Sequence, residues 1–220
     1  MTRLVVRLAT LALLIALVPQ SYADTPSIVI NEIMYGPLTG SAYQDQYIEL
    51  YNTTANTVLL FDPANPTSTW EMSGIYFCFP QMSQVAAHSY TLLVGTSSAT
   101  FRAAYNIPTS VPILGPWNTG LVPEDTVTLS RPLPPDHGYV GYDIVDTVTF
   151  SDQSPWPSAN GNGLSLSRLS PDLPADDPAS WVAASPTPGL MNVPEPGSIS
   201  LVVAGAFALL AHAWRRRKAA

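Results

Sequence analysis

The sequence predicts an all-β fold, a sandwich of two sheets, and three observations favour it. Charged residues make up only 11% of the 220 residues, beside 22 prolines and 13 glycines, a balance typical of turn-rich β structure. Apolar residues in the body alternate with polar ones at a period of two, as in strands that bury one face. No β-α-β alternation accompanies these runs, so each sheet is expected to bury its apolar face against another sheet.

Eight segments carry the strand pattern. In DQYIELYN, Ile48 and Leu50 alternate with more polar neighbours, which places the aliphatic side chains on one face. The predicted strands span residues 27–34, 45–52, 58–61, 75–79, 90–94, 126–129, 146–150 and 164–169, and turn residues separate them. One short helix is expected at residues 99–105. The aromatic residues expected to fill the core are Trp70, Phe77, Trp156 and Trp181.

Charge is distributed very unevenly along the chain. Six of the nine basic residues lie at the two ends, within residues 3–7 and 215–218. The middle keeps Arg102, Arg131 and Arg168 against all 16 acidic residues, which leaves it with a net charge of −13 and no lysine. Such a surface repels phosphate backbones, so the sequence argues against nucleic-acid binding.

The first 23 residues have the order of an export signal. Arg3 and Arg7 form a positive start, residues 8–18 are apolar, and Ser21-Tyr22-Ala23 fits a small-x-small cleavage site. We therefore expect a signal peptide over residues 1–23 and a mature chain that begins at Asp24. A buried first helix is the alternative.

The last residues have the order of a membrane stop. Residues 199–214 are largely apolar and would span about 24 Å as a helix, against about 30 Å of hydrocarbon. A basic stop follows and would stay on the cytoplasmic side, leaving an exported body outside. Its residues are Arg215, Arg216, Arg217 and Lys218.

A proline-glutamate-proline motif stands directly before this apolar run. Val193, Pro194, Glu195 and Pro196, the short membrane helix and the arginine cluster follow one another within residues 193–220. This arrangement resembles the PEP-CTERM sorting signal of bacterial envelope proteins. The resemblance implies a membrane-bound processing partner of the exosortase type that cuts near the motif. A plain membrane anchor is the alternative.

The body between the two ends resembles the lamin tail domain. IVINEIMYGP followed by DQYIELYNTT is similar to the opening of that family, and HSYTLLVG, WNTGLVPEDTVTL, VDTVTF, PWPSANGNGLSLSRLSPD and WVAASPTPGLMN match further motifs in order. The resemblance covers residues 27–192 and implies an immunoglobulin-like sandwich for a domain over residues 24–192. It implies structural roles for Asn31, Glu32, Glu49, Asn52, Asp125, Asp146, Gly163, Ser165 and Arg168.

Residues that carry redox, zinc or nucleophilic chemistry are sparse. A single cysteine, Cys78, excludes an internal disulfide and a multi-cysteine metal site, and its alternation with aromatic residues predicts that it is buried. His88, His137 and His212 lack zinc-site spacing. The stretch GLSLS at Gly163 lacks the last glycine of a nucleophile elbow. We expect no metal and no cofactor.

The acidic residues leave alternatives open. Glu32 and Glu49 are candidates for an acid/base pair, although structural hydrogen bonding is favoured, and either is a candidate partner for Arg168. Two acidic pairs are candidates for calcium binding, although their spacing matches no recognised calcium loop and solvation is favoured. These pairs are Asp143 with Asp146 and Glu124 with Asp125.

The sequence as a whole favours a non-enzymatic, exported structural or interaction module of the bacterial envelope or extracellular matrix, attached to the membrane at least transiently. One alternative is an extracellular polysaccharide-binding module, with or without calcium, motivated by acidic loops and by aromatic residues expected to be exposed, such as Trp117. The other is a hydrolase that uses Glu32 and Glu49.

Overall fold

A computed structural model describes residues 25–38, 44–117 and 119–192 of the chain. The predicted signal peptide and the predicted sorting tail lie outside the described residues. Within the described ranges, no helix combines the length and the apolar character needed to cross a membrane.

The described residues form fourteen strands, one α-helix and one short 3₁₀ helix, so the prediction of an all-β chain is confirmed. The α-helix is α1 (Ser98–Tyr105) and the 3₁₀ helix spans Pro178–Ser180. The strands are β1 (Ile28–Met34), β2 (Tyr47–Asn52), β3 (Val58–Leu59), β4 (Phe61–Asp62), β5 (Asn65–Thr69), β6 (Glu71–Ser73), β7 (Phe77–Cys78), β8 (Gln84–Val85), β9 (Tyr90–Val94), β10 (Ile113–Leu114), β11 (Glu124–Pro132), β12 (Tyr142–Ser151), β13 (Ser165–Arg168) and β14 (Trp181–Ala184).

Two large sheets organise these strands. One has six strands in the order β10-β9-β2-β1-β13-β14, and the other has four in the order β12-β11-β6-β7. Two small two-stranded sheets, β3-β8 and β4-β5, complete the described part of the chain. Neighbouring strands run antiparallel except β9 and β10, which are parallel.

The two large sheets share one apolar core. The six-stranded sheet contributes Ile30, Ile48, Leu50, Leu93 and Leu166, and the four-stranded sheet contributes Met72, Phe77, Val127, Leu129, Val148 and Phe150. As predicted, Trp70, Phe77 and Trp181 lie in this core and Trp156 packs against it. Burial of one face of each sheet against the other is the main source of stability in such an arrangement.

The outer face of the six-stranded sheet is also covered. Helix α1 begins after Ser97, whose side chain caps the backbone N–H of Thr100, and it buries Phe101 against Tyr47 with ring centroids 5.5 Å apart. These rings belong to a second apolar cluster with Met34, Leu92, Val94 and Ile107. Both faces of this sheet are therefore protected from water over much of its area.

A β-bulge in β1 determines which side chains lie on this outer face. Ile30 pairs with Leu50, but the next pair is Glu32 with Glu49, so Asn31 is an extra residue in β1. Two residues now separate the core residues Ile30 and Ile33 where strict alternation would allow one. The bulge thus places both Asn31 and Glu32 among the polar groups described below.

The structure corrects the prediction for Cys78, which is exposed. Strand β7 is an edge strand of the four-stranded sheet, and Cys78 pairs with Glu71 while its neighbour Phe77 enters the core. Buried and exposed side chains do alternate along β7, but Cys78 is the exposed one and Phe77 the buried one. The predicted strand at 58–61 is also corrected, because β3 and β4 belong to different sheets.

Candidate functional site

Two buried glutamates occupy neighbouring strands of the six-stranded sheet. Glu32 on β1 and Glu49 on β2 are direct partners in the strand register, and both are 0% exposed. We call them the acid pair. No basic side chain bonds to either carboxylate among the described residues, so neutral donors must satisfy both.

Glu32 receives its hydrogen bonds from β13 and from the segment after β14. The hydroxyl of Ser165 donates to Oε1. The backbone N–H of Thr187 donates to the same oxygen over 3.0 Å, and the Thr187 hydroxyl lies 3.3 Å from Oε2. These bonds join β1, β13 and residues 185–192, which we call the C-terminal segment.

Glu49 is held by the same segment and by the bulge residue. The Asn31 amide donates to Oε1 over 2.8 Å, and the backbone N–H of Gly189 donates to Oε2. The Asn192 amide donates to the backbone oxygens of Asn31 and Arg168, each over 2.9 Å. The acid pair and Asn192 therefore fasten the C-terminal segment onto the outer face of the sheet.

Burial without a cation changes the protonation of the acid pair. Burial, with the nearby charge of Glu32, raises the pKa of Glu49 from 4.5 to about 8. Burial also raises the pKa of Glu32, although hydrogen bonds from Ser165 and Thr187 oppose this effect. At neutral pH the acid pair thus retains a proton that two solvated glutamates would have lost.

A raised carboxyl pKa is also what a general acid requires, so the surroundings decide between a structural and a catalytic interpretation. Here each carboxylate is fully buried, and its hydrogen-bond donors belong to the protein itself. The acid pair offers no accessible atom to a substrate in this conformation. The structural interpretation from the sequence is the one that this geometry favours.

A second buried acid lies between the two large sheets and has a cation. Asp146 on β12 pairs with Arg168 on β13 over 2.8 Å, with side chains only 6% and 2% exposed. Asp146 also accepts the backbone N–H of Ile30 over 2.8 Å, and Arg168 donates to the backbone oxygens of Ile30 and Leu173. Burial raises the pKa of Asp146, and the charge of Arg168 opposes that shift.

The prediction that Arg168 pairs with Glu49 or Glu32 is therefore wrong. Arg168 and Leu166 share one face of β13, which points into the core, whereas the acid pair lies on the opposite face of the sheet. The prediction that Arg168 needs a carboxylate was sound. Its partner comes from the other sheet, and we call Asp146 and Arg168 the inter-sheet ion pair.

The other acidic residues considered for calcium have different surroundings. Asp143 pairs with Arg131 at the surface over 2.8 Å, and Asp146 is committed to Arg168. Asp125 accepts the backbone N–H of its neighbour Thr126. The described residues contain no group of three or more His, Cys, Asp or Glu side chains arranged to hold a metal ion.

Two further residues implied by the lamin tail resemblance shape turns. The Asn52 amide donates to the backbone oxygens of Asn56, Val85 and Ala86, and so fixes the connection after β2. Gly163 adopts a φ of +79°, which favours glycine, just before β13. Both positions support the sheet rather than a reactive centre.

The structure also corrects the expectation that Trp117 is exposed, since it is 2% exposed and lies in the main core. Sequence reasoning did not single out Thr187, Gly189 and Asn192, which complete the site. The only signal was their place in WVAASPTPGLMN. The backbone N–H donors of Thr187 and Gly189 leave no mark in the sequence, and nothing in it pairs the Asn192 side chain with backbone oxygens of β1 and β13.

A surface cleft adjoins the acid pair on the outer face of the six-stranded sheet. Tyr51 and Tyr90 line one side, and Leu169, Pro171, Met191 and Asn192 lie around them. Its volume is about 330 Å³. We call it the tyrosine cleft.

No family model matches the chain. No curated protein matches it either.

Proposed function

We propose that this protein is an exported, non-enzymatic domain of the lamin tail type, displayed at a bacterial cell envelope or in the extracellular matrix. Two large sheets around one core support an immunoglobulin-like sandwich, and the motifs that contain Asn31, Glu32, Ser165 and Arg168 lie on the neighbouring strands β1 and β13 of the six-stranded sheet. The order of signals at the two chain ends supports export followed by sorting through the tail.

The observation that carries the non-enzymatic role is the saturation of the acid pair. Glu32 and Glu49 are fully buried, and donors from β1, β13 and the C-terminal segment occupy their oxygens. A hydrolase needs one carboxyl group that reaches a substrate or a water molecule. The acid pair instead reaches the protein's own backbone, as expected of a structural anchor.

Sorting is the second part of the proposal, with an exosortase-type membrane protease as partner. The bonds of Asn192 fix the chain one residue before Val193, the first residue of the proposed sorting motif. The proposed sorting motif thus begins, in sequence, directly after a residue that the domain holds by two hydrogen bonds.

The test is replacement of Pro194, Glu195 and Pro196 by alanine in the native host, followed by cell fractionation. We expect the variant to accumulate in the membrane fraction, because the processing enzyme no longer finds its motif. A matched control replaces Pro134, Pro135 and Asp136, an exposed loop of similar composition, and should leave release unchanged. Normal release of the tail variant would contradict the sorting proposal.

The hydrolase alternative has its own test. Any hydrolytic activity of the purified protein should be compared with that of Glu32→Ala and Glu49→Ala variants. Activity that survives both substitutions removes the acid pair from consideration as catalytic groups. Activity abolished in both variants while they remain folded would overturn the structural role.

A further inference from the structure

We propose that the tyrosine cleft binds a neutral hexose polysaccharide, with Tyr51 and Tyr90 as its aromatic wall. This adds a ligand to the display role proposed above, and it depends neither on the tail nor on its processing. It also replaces the sequence-based reasons for polysaccharide binding, since Trp117 is buried and acidic residues do not line the cleft.

The aromatic wall is built by strand pairing. Tyr51 on β2 and Tyr90 on β9 are direct partners in the register, so their rings pack against each other on the outer face of the sheet and each keeps its other face for a ligand. The ring centroids are 4.9 Å apart with an interplanar angle of 33°. Hexose rings present C–H groups on their faces that pack against such aromatic surfaces, while their hydroxyls point to the sides.

Hydrogen-bonding groups stand at the edges of this wall. The hydroxyls of Tyr51 and Tyr90 make no hydrogen bond to another described residue, and burial raises the pKa of Tyr90 to about 12, so its phenol remains neutral. Ser170 accepts the backbone N–H of Asp172 over 3.3 Å, which leaves its O–H group able to donate. A mainly apolar cleft with a few polar groups is the usual composition of a small-molecule site.

Charge selects neutral sugars over acidic ones. Residues 24–197 carry a net charge of −13 and no lysine, so uronic or sulfated polymers would be repelled. The nearest cation, Arg168, is 3% exposed and already neutralised by Asp146. Arg168 is therefore not available to pair with an anionic ligand.

The position of the cleft argues against an extended peptide as the ligand. Peptides that add to a sheet need an unpaired strand edge. Tyr51 on β2 is paired on both sides, with Val29 of β1 and Tyr90 of β9, whereas β10 pairs with β9 only at Leu92 and Leu93. Side-chain contacts alone would have to hold a peptide over Tyr51.

The experiment measures binding of cellohexaose and maltohexaose to the purified full chain in detergent by isothermal titration calorimetry, with an oligogalacturonate as the anionic probe. We expect at least one neutral hexaose to bind and the oligogalacturonate not to bind. Tyr51→Ala and Tyr90→Ala should each weaken binding at least about tenfold. The matched control is Tyr139→Ala, which removes a tyrosine that is 81% exposed in the β11–β12 connection and should leave binding unchanged.

Phenylalanine variants keep the test decisive if an alanine variant does not fold. Tyr51→Phe and Tyr90→Phe retain the rings, and each should weaken binding about fivefold through loss of one hydrogen bond. The proposal is overturned if neither neutral hexaose binds, if the oligogalacturonate binds more tightly, or if binding is unaffected by all four substitutions. Competition by a peptide with the sequence of residues 190–198 would assign the cleft to a peptide and also overturn it.

Discussion

The acid pair and the inter-sheet ion pair bury carboxylates to a similar degree but satisfy them in opposite ways. Glu32 and Glu49 have neutral donors and no cation, whereas Asp146 has Arg168 and the backbone N–H of Ile30. The acid pair retains a proton at neutral pH, whereas the inter-sheet ion pair holds two opposite charges. Equal burial therefore leads to different responses to mutation and to pH, which the following predictions test.

Breaking the inter-sheet ion pair should have the largest effect. Asp146→Ala leaves the guanidinium of Arg168 buried without its counter-charge, and we expect it to lower the free energy of unfolding by about 3–5 kcal/mol. Urea unfolding measures this quantity. The control is Asp143→Ala, which breaks the surface pair with Arg131 and should cost no more than about 1 kcal/mol. If both variants lose the same free energy of unfolding, the inter-sheet ion pair contributes no more to stability than the surface pair.

The part of the pH dependence of stability that is lost on Glu49→Gln should identify the contribution of the acid pair. Because the folded-state pKa of Glu49 is raised from 4.5 to about 8, the folded protein keeps a proton that the unfolded chain releases in this window. The free energy of unfolding should therefore fall as pH rises from 4.5 to about 8, by up to about 1.4 kcal/mol per pH unit.

Urea unfolding of the wild type and of Glu49→Gln, at several pH values across this window, provides the check. Glutamine does not titrate, so the variant should show a shallower slope. Asp146 contributes in the same direction in both proteins, because its pKa is also raised. If the free energy of unfolding of the wild type increases between pH 4.5 and about 8, the conclusion that the acid pair retains a proton is wrong.

Disturbing the C-terminal segment should have a smaller effect. Gly189 has a φ of +81°, and a Cβ there would lie 3.0 Å from a methyl group of Val111, so Gly189→Ala should cost about 1–2 kcal/mol. Gly138→Ala is the matched control, since its φ is +84° but no atom lies within 4 Å of the added Cβ. The loss at Gly189 should exceed the control in thermal unfolding. An equal loss would mean that packing on Val111 does not matter.

The smallest effect is expected from removal of the Thr187 hydroxyl, which donates to Glu32 of the acid pair. Thr187→Val removes the side-chain donor to Glu32 but keeps the backbone N–H bond, so it should cost about 0.5–1.5 kcal/mol. Hydrogen exchange of the Gly189 amide should accelerate at the same time, because the C-terminal segment opens more often. Unchanged exchange would indicate that the segment is held without this hydroxyl.

Much of the architecture could be predicted because it depends on local patterns. Alternation and turn residues located β1, β2, β7, β9, β11, β12 and β13. The pattern merged β3 and β4 into one strand, and β5, β6, β8, β10 and β14 were not among the predicted strands. Two-residue strands bury too little surface to leave a periodic signal. Four aromatic residues in or against the core were also predicted, namely Trp70, Phe77, Trp156 and Trp181.

The site was predicted only in part. For Glu32 and Glu49 the sequence favoured structural hydrogen bonding over an acid/base pair. It could not give their donors, because those from Thr187 and Gly189 include backbone groups 155 and 140 residues away in sequence. Trp117 and Cys78 were assigned the wrong exposure. Local pattern gives the face of a strand, while exposure depends on what the rest of the chain places against that face.

By itself, the sequence determined that the body of this chain is mostly β, that it is acidic and free of lysine, and that Arg168 requires a carboxylate. Only the tertiary structure decided that this carboxylate is Asp146, that the acid pair holds the C-terminal segment, and that Tyr51 and Tyr90 form one wall of a cleft. The physical reason is that periodicity and charge are properties of neighbouring residues, whereas partners are fixed by strand order and by the packing of one sheet on another.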